Sequence, residues 1–231
     1  MKIGVLVAMG KEGRLVEALL EDKTECEMQG YRFVSGRMGE KEIILSTCGI
    51  GKVCAAVGTV EMIRNFAPDC ILNTGVAGGI DPALKVMDMV VGQEVVYHDV
   101  WCGTGNAKGQ VQGMPARYEG NRALVKIALS ACGEVRTLPG LICSGDQFIS
   151  DRETLQQIKK DFPEGLAVDM ESGAIAQVCY LYKMPFLSCR IISDTPGETT
   201  DHAAQYEDFW TKAPERSFEV LKQILIHCTL V

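Results

Sequence analysis

Continuous apolar runs rich in Ile and Val recur at Lys2–Ala8, Glu42–Ser46, Cys70–Thr74, Met89–Val96, Gly140–Cys143 and Phe186–Ser193. They do not alternate with polar residues, which predicts strands buried on both faces. Helical patterns fill the intervals at Glu12–Leu20, Lys52–Asn65, Asn121–Ala131, Arg152–Lys160, Glu171–Tyr182 and Gln205–His227. Ser150 followed by Glu153 predicts a capping box at the start of the fourth helix. Strands alternating with helices and ending on a long C-terminal helix predict a three-layer α/β/α sandwich around a central mixed β-sheet. No repeat, Pro/Ser-rich linker or charge block divides the chain, so residues 1–231 read as one domain.

Composition narrows the possible functions. A formal charge of −7 argues against a nucleic-acid partner, which requires a basic face. The charge-free runs Cys70–Ile80 and Ser172–Tyr182 are far shorter than the roughly 18 apolar residues of a membrane span. Lys2 and Ile3–Met9 resemble the start of a signal peptide, but Lys11, Glu12 and Arg14 follow at once, so the segment reads as a first strand. The 10 cysteines are scattered without a CxxC, which favours free thiols in the cytoplasm. His98, His202 and His227 lie far apart with no ligand spacing, which disfavours a metal.

In such a sheet functional side chains collect where strands end and helices begin. That singles out Met9–Glu12, Asn73–Gly79, Val168–Glu171 and Ser193–Asp194. Asn73-Thr74-Gly75-Val76-Ala77-Gly78-Gly79 reads as a strand end turning through glycines, either to bring backbone close to a ligand or simply to reverse direction. It has neither the GxGxxG of a dinucleotide site nor the GK[ST] of a P-loop, which disfavours NAD and ATP. Glu12 stands where a carboxylate either favours the positive end of a helix or serves a site. Asp169 and Glu171 lie between the apolar Leu166-Ala167-Val168 and Gly173-Ala174-Ile175-Ala176, so both need partners. Arg190 and Asp194 flank Ile191-Ile192-Ser193, and a charge in a buried strand is costly unless paired or functional.

Six blocks now carry a resemblance: Met1–Gly4 through Ala8, Met9 and Glu12; Ser46–Val53; Asn73–Gly79; Ser144–Ile149; Val168–Glu171; and Ile192–Asp194. In this order they resemble the signature blocks of bacterial 5′-methylthioadenosine/S-adenosylhomocysteine nucleosidases, a hydrolytic branch of the nucleoside phosphorylase superfamily. The resemblance implies a nucleoside phosphorylase-like fold and a cytoplasmic homodimer without cofactor or metal. The implied reaction releases adenine from 5′-methylthioadenosine, S-adenosylhomocysteine and 5′-deoxyadenosine. Carried over by motif, Glu12 is the base that activates water and Asp194 the acid that protonates adenine N7. Glu171 binds the ribose hydroxyls, Phe148 stacks on the purine and Ile149 offers its backbone to the adenine edge. Met170 and Ile50 line the ribose and alkylthio side, Gly78 brings a backbone amide close, and Met9, Arg190 and Tyr206 complete the substrate-binding set. Two carboxylates suit the chemistry, because an oxocarbenium-like transition state needs one group to protonate the departing base and another to aim the water. An aspartate acting as an acid near neutral pH needs a raised pKa, which burial supplies.

The chain departs from the family pattern at three places. Val76 stands where many relatives have serine, Val100–Tyr118 differs in a loop that helps close the 5′ pocket across a dimer interface, and Thr195–Ala204 differs while Tyr206 replaces a usual phenylalanine. Rival readings are a phosphorylase, for which Arg14 or Arg190 would hold phosphate, a hydrolase of another adenosine derivative such as aminofutalosine, and a nucleoside-binding protein that has lost its chemistry.

Overall fold

The computed structural model describes the backbone of residues 1–131, 133, 135–195, 202–212 and 214–229, with side chains for all of these except 202, 203, 211, 212 and 214–219. The elements in chain order are β1 (Lys2–Val7), α1 (Gly10–Glu17), β2 (Glu21–Met28), β3 (Tyr31–Met38), β4 (Lys41–Thr47), α2 (Lys52–Phe66), β5 (Cys70–Gly79), β6 (Met89–Tyr97), β7 (Tyr118–Glu119), α3 (Arg122–Ala131), β8 (Thr137–Ser144), α4 (Arg152–Asp161), β9 (Gly165–Asp169), α5 (Ser172–Tyr182), β10 (Phe186–Asp194), α6 (His202–Lys212) and α7 (Pro214–His227).

The expected mixed sheet forms, with helices on both faces. β1 pairs in parallel with β4 and β5, and β5 with β10, whereas β10–β6 and β5–β9 are antiparallel. Successive β1 side chains point to opposite layers. Ile3, Val5 and Val7 join Val16 of α1, Leu124 of α3 and Leu221 of α7. Leu6 joins Ala55 and Met62 of α2 and Ile175 of α5.

The sheet also closes on itself. β10 pairs with β6, β6 with β8, β8 with β9, and β9 returns to β5, which already pairs with β10. Closure depends on β5, which pairs with β1 through Cys70–Asn73 and then with β9 through Gly78 and Gly79. The glycine segment therefore does not turn. It continues as strand, and its backbone groups bond to neighbours on both sides.

Local chemistry explains the other differences from expectation. The β2–β3 hairpin has no apolar run, because nearly all of β2 is exposed; its signal is the Gln29-Gly30 turn with both residues at positive φ. At α4 the cap is Asp151, whose Oδ1 accepts from the Thr154 N–H at 2.8 Å, in place of Ser150. The long C-terminal pattern divides into α6 and α7 at Pro214, which has no N–H with which to continue a helix.

Candidate active site

Three strand ends and one helix start converge on a single cleft. Asp194 at the end of β10 is in register with Gly78 of β5, and the register shifts between Ile192 and Asp194. Gly78 is also in register with Val168 of β9, and Asp169 with Ser144 of β8. The cleft encloses about 630 Å³ including its open mouth. It is lined by Met9, Glu12, Ile50, Val76, Gly78, Phe148, Ile149, Asp169, Met170, Glu171, Asp194 and Tyr206, together with Ala8, Ala77, Gln147, Val168 and Ser193. Every residue carried over from the family motifs lies on this wall except Arg190, which lies beneath it.

Glu12 is held by backbone. Its Oε2 accepts from the N–H groups of Ala8 at 3.0 Å and Met9 at 2.8 Å, and its Oε1 from that of Val76 at 3.1 Å. Two of these donors belong to its own helix start and the third to β5. One carboxylate thus takes up the donors of its helix start and also lines the cleft. Burial pushes its pKa up against the pull of Arg190 and the three N–H donors. Gly75 makes this placement possible: a Cβ there would lie 2.6 Å from both Glu12 Oε1 and Arg190 Nη1. The glycine that the sequence offered to a ligand makes room for two side chains of the protein itself.

Beneath the cleft Arg190 is 1% exposed and meets Asp169 at 2.5 Å and Glu171 at 3.8 Å. It also donates to Asn73 Oδ1 and to Ser172 Oγ at 3.1 Å. Burial opposes its charge, but Asp169, Glu171 and Glu12 outweigh burial and hold its pKa above the usual value. The principal partner of the arginine is Asp169, a residue the sequence marked only as needing one. Glu171 Oε1 accepts from the Gly51 N–H at 3.0 Å. Its pKa is pushed up to about 7, chiefly by burial, with Arg190 opposing and Asp169 adding. Asp194 is 3% exposed and accepts from Ser193 Oγ at 2.7 Å.

The supports of the 50s loop carried little sequence signal. Asp146 Oδ1 accepts from Lys52 N at 2.7 Å and holds the start of α2, while Asp99 joins Lys52 Nζ at 2.6 Å and the Asp146 N–H at 2.9 Å. Gly49 and Gly51, both at positive φ, shape this loop around Ile50. The cover is aromatic. Phe148 is 59% exposed, and its ring meets Tyr206 edge-on at 6.1 Å. Tyr206 OH lies 3.5 Å from Met9 Sδ.

Residues 2–226, which build this cleft at the strand ends of the closed sheet, match the model of the phosphorylase superfamily. A curated 5′-methylthioadenosine/S-adenosylhomocysteine nucleosidase from Geobacillus thermodenitrificans is 40% identical over 229 residues, covering 97% of this chain and 96% of the relative. The S-adenosylhomocysteine nucleosidase from Streptococcus pyogenes, solved in complex with 5-methylthiotubericidin, superposes with a TM-score of 0.94 at 34% identity, covering 100% of this chain and 98% of that one. The corresponding Colwellia psychrerythraea nucleosidase, solved with adenine, gives a TM-score of 0.93 at 34% identity, covering 98% and 95%. The chain belongs to the 5′-methylthioadenosine/S-adenosylhomocysteine nucleosidases of that superfamily.

Proposed function

We propose that this protein hydrolyses the N-glycosidic bond of 5′-methylthioadenosine and S-adenosylhomocysteine, with adenine as one product. The observation that carries the hydrolytic reading is the charge balance of the cleft. Four carboxylates line it, Glu12, Asp169, Glu171 and Asp194, and among the described residues no cation does. The one buried arginine beside it faces three of those carboxylates. Phosphate would meet a net negative wall with no free cation to receive it, whereas water needs only a base. Arg14 points to the exposed side of α1 and is absent from the lining.

In this reading Glu12, fixed by three N–H groups, takes the proton of the attacking water. Asp194 gives a proton to N7 as the bond to adenine breaks, so the base departs neutral. Glu171 accepts hydrogen bonds from the ribose hydroxyls, and these bonds strengthen as positive charge grows on the ring. Phe148 and Ile149 take the purine, while Met9, Ile50, Met170 and Tyr206 surround the ribose and the 5′ group. Arg190 serves from below by keeping Asp169 and Glu171 paired. The unit is a homodimer, in which Ile50 of the cleft, Val53 and Val57 of α2, and Trp101, each more than 40% exposed and apolar, offer surface to a second subunit. No helix among the described residues is long and apolar enough to cross a membrane.

The test is adenine release from methylthioadenosine, S-adenosylhomocysteine, 5′-deoxyadenosine, inosine and aminofutalosine, each with and without phosphate. Release from the first two without phosphate is expected. Turnover that requires phosphate, or that is confined to aminofutalosine, overturns the reading. Sedimentation showing a fully active monomer overturns the dimer.

A further inference from the structure

We infer that Lys11 is a positioning residue for the cover of the cleft: its ammonium fastens α6 to the start of α1 through the rings of Trp210 and Tyr206, and so sets how tightly small 5′ groups are enclosed. The inference rests on the nucleosidase reading above. Lys11 Nζ lies 3.9 Å from the centroid of the Trp210 ring and 4.7 Å from that of Tyr206, both within cation–π range. The two rings meet edge-on at 6.2 Å, and Tyr206 meets Phe148 edge-on at 6.1 Å. A chain of contacts therefore runs from Lys11 through Trp210 and Tyr206 to the ring that covers the purine end of the cleft.

Several observations make the lysine more than a solvated surface charge. It is only half-exposed, and burial lowers its pKa against the pull of Glu207 and Glu12. It immediately precedes Glu12, so the clasp and the base share one helix turn. α6 has few other anchors among its described side chains: Phe209 is its one fully buried side chain, and Gln205 Oε1 accepts from the Thr195 N–H at 3.0 Å. Loss of one cation–π contact is worth a factor of about two to five in the closed population. A methylthio group depends on the closed cover, whereas a long 5′ substituent with a charged end must already hold the cover apart to reach solvent.

The experiment compares wild type, Lys11→Met, Lys11→Arg and Trp210→Leu by two readouts, hydrogen exchange of the 204–210 peptide and steady-state adenine release from both thioethers. Lys11→Met should speed exchange at 204–210 by about two- to fivefold and raise KM for methylthioadenosine by a similar factor. Its kcat should stay within twofold, and KM for S-adenosylhomocysteine should move less. Lys11→Arg should restore both readouts, because guanidinium also sits over aromatic rings. Trp210→Leu should reproduce the Lys11→Met pattern, and the double variant should be no worse than either. Unchanged exchange and an unchanged KM ratio in Lys11→Met overturn the clasp, as does faster exchange in α3 to the same extent, which marks general loosening. If wild type releases no adenine from either thioether the nucleosidase reading fails, and the exchange arm alone then decides the clasp.

Discussion

Glu12 and Tyr206 line the same cleft, yet what holds them differs in kind. Glu12 is buried, and main-chain N–H groups of β5 and of its own helix start fix its carboxylate. Glu171, Asp169 and Arg190 are likewise locked into one charge network beneath the floor. Tyr206 and Phe148 are half-exposed or exposed and are held by ring contacts, while the exposed Ile50 rides on a loop fixed at Gly51 and Lys52. The floor is preorganised where charge develops, as electrostatic stabilisation requires. The cover can give way to admit and release a nucleoside. Substitutions in the floor should therefore act on the rate, and those in the cover on KM.

The largest effect is expected at the two ends of the proton path. Glu12→Gln and Asp194→Asn should each reduce adenine release by about 10²–10⁴-fold, since the proposed reaction gives each a proton-transfer role. If these carboxylates only cap and pair, the variants will instead lose stability while turning over near the wild-type rate. Urea unfolding beside the rate assay separates the two outcomes.

Glu171 tests the floor through pH. An unfolded glutamate titrates near 4.5, whereas the folded residue is pushed up to about 7. Between those values the folded state keeps a proton that the unfolded chain gives up. Its contribution to stability is therefore complete below about pH 4.5 and is lost as pH rises through 7. In the proposed reaction the ionised form is the stronger acceptor for the ribose hydroxyls, so activity should rise over the interval in which stability falls. Glu171→Gln should flatten the Glu171 part of both profiles, leaving whatever slope Glu12 contributes. A variant whose unfolding midpoint varies with pH as steeply as wild type would remove Glu171 as the titrating group.

On the cover, Phe148→Ala should raise KM by about fivefold or slightly more with kcat nearly constant, the lower end of base–aromatic stacking, because the ring is already more than half exposed. A fall in kcat with unchanged KM would place Phe148 in the floor and break the comparison.

The same contrast explains what could be read from the sequence. Buried strands announce themselves by apolar runs, so β1, β5, β6 and β10 were legible, and with them the strand ends that carry Glu12, Gly78 and Asp194. The β2–β3 hairpin was not, since most of β2 faces water and its pairing with β3 is written in main-chain bonds and one turn. Closure of the sheet was hidden for a related reason: glycine reads as a turn, and pairing with β9 at Gly78 and Gly79, with β10 also at Gly78, makes them strand. Asp169 could be recognised as needing a partner, but its pairing with Arg190 joins residues distant in sequence. The roles of Asp146 and Asp99 in holding the 50s loop depend on three segments meeting in space, which no local pattern records.

The smallest effect should come at Val76, where family comparison anticipates a missing hydroxyl. Val76 supports Glu12 through its main-chain N–H at 3.1 Å, a bond that any residue but proline makes. Its side chain packs against the core layer shared by α1, α3 and α7. Val76→Ser should thus leave the hold on Glu12 intact and change kcat/KM by less than about threefold, since no proton-transfer role is gained. The cost should fall on stability, about 1 kcal/mol for a half-buried apolar group replaced by a polar one. A gain of tenfold or more in kcat would mean that water placement, and not the carboxylate itself, limits this enzyme. The preorganised floor would then be one hydroxyl short of complete.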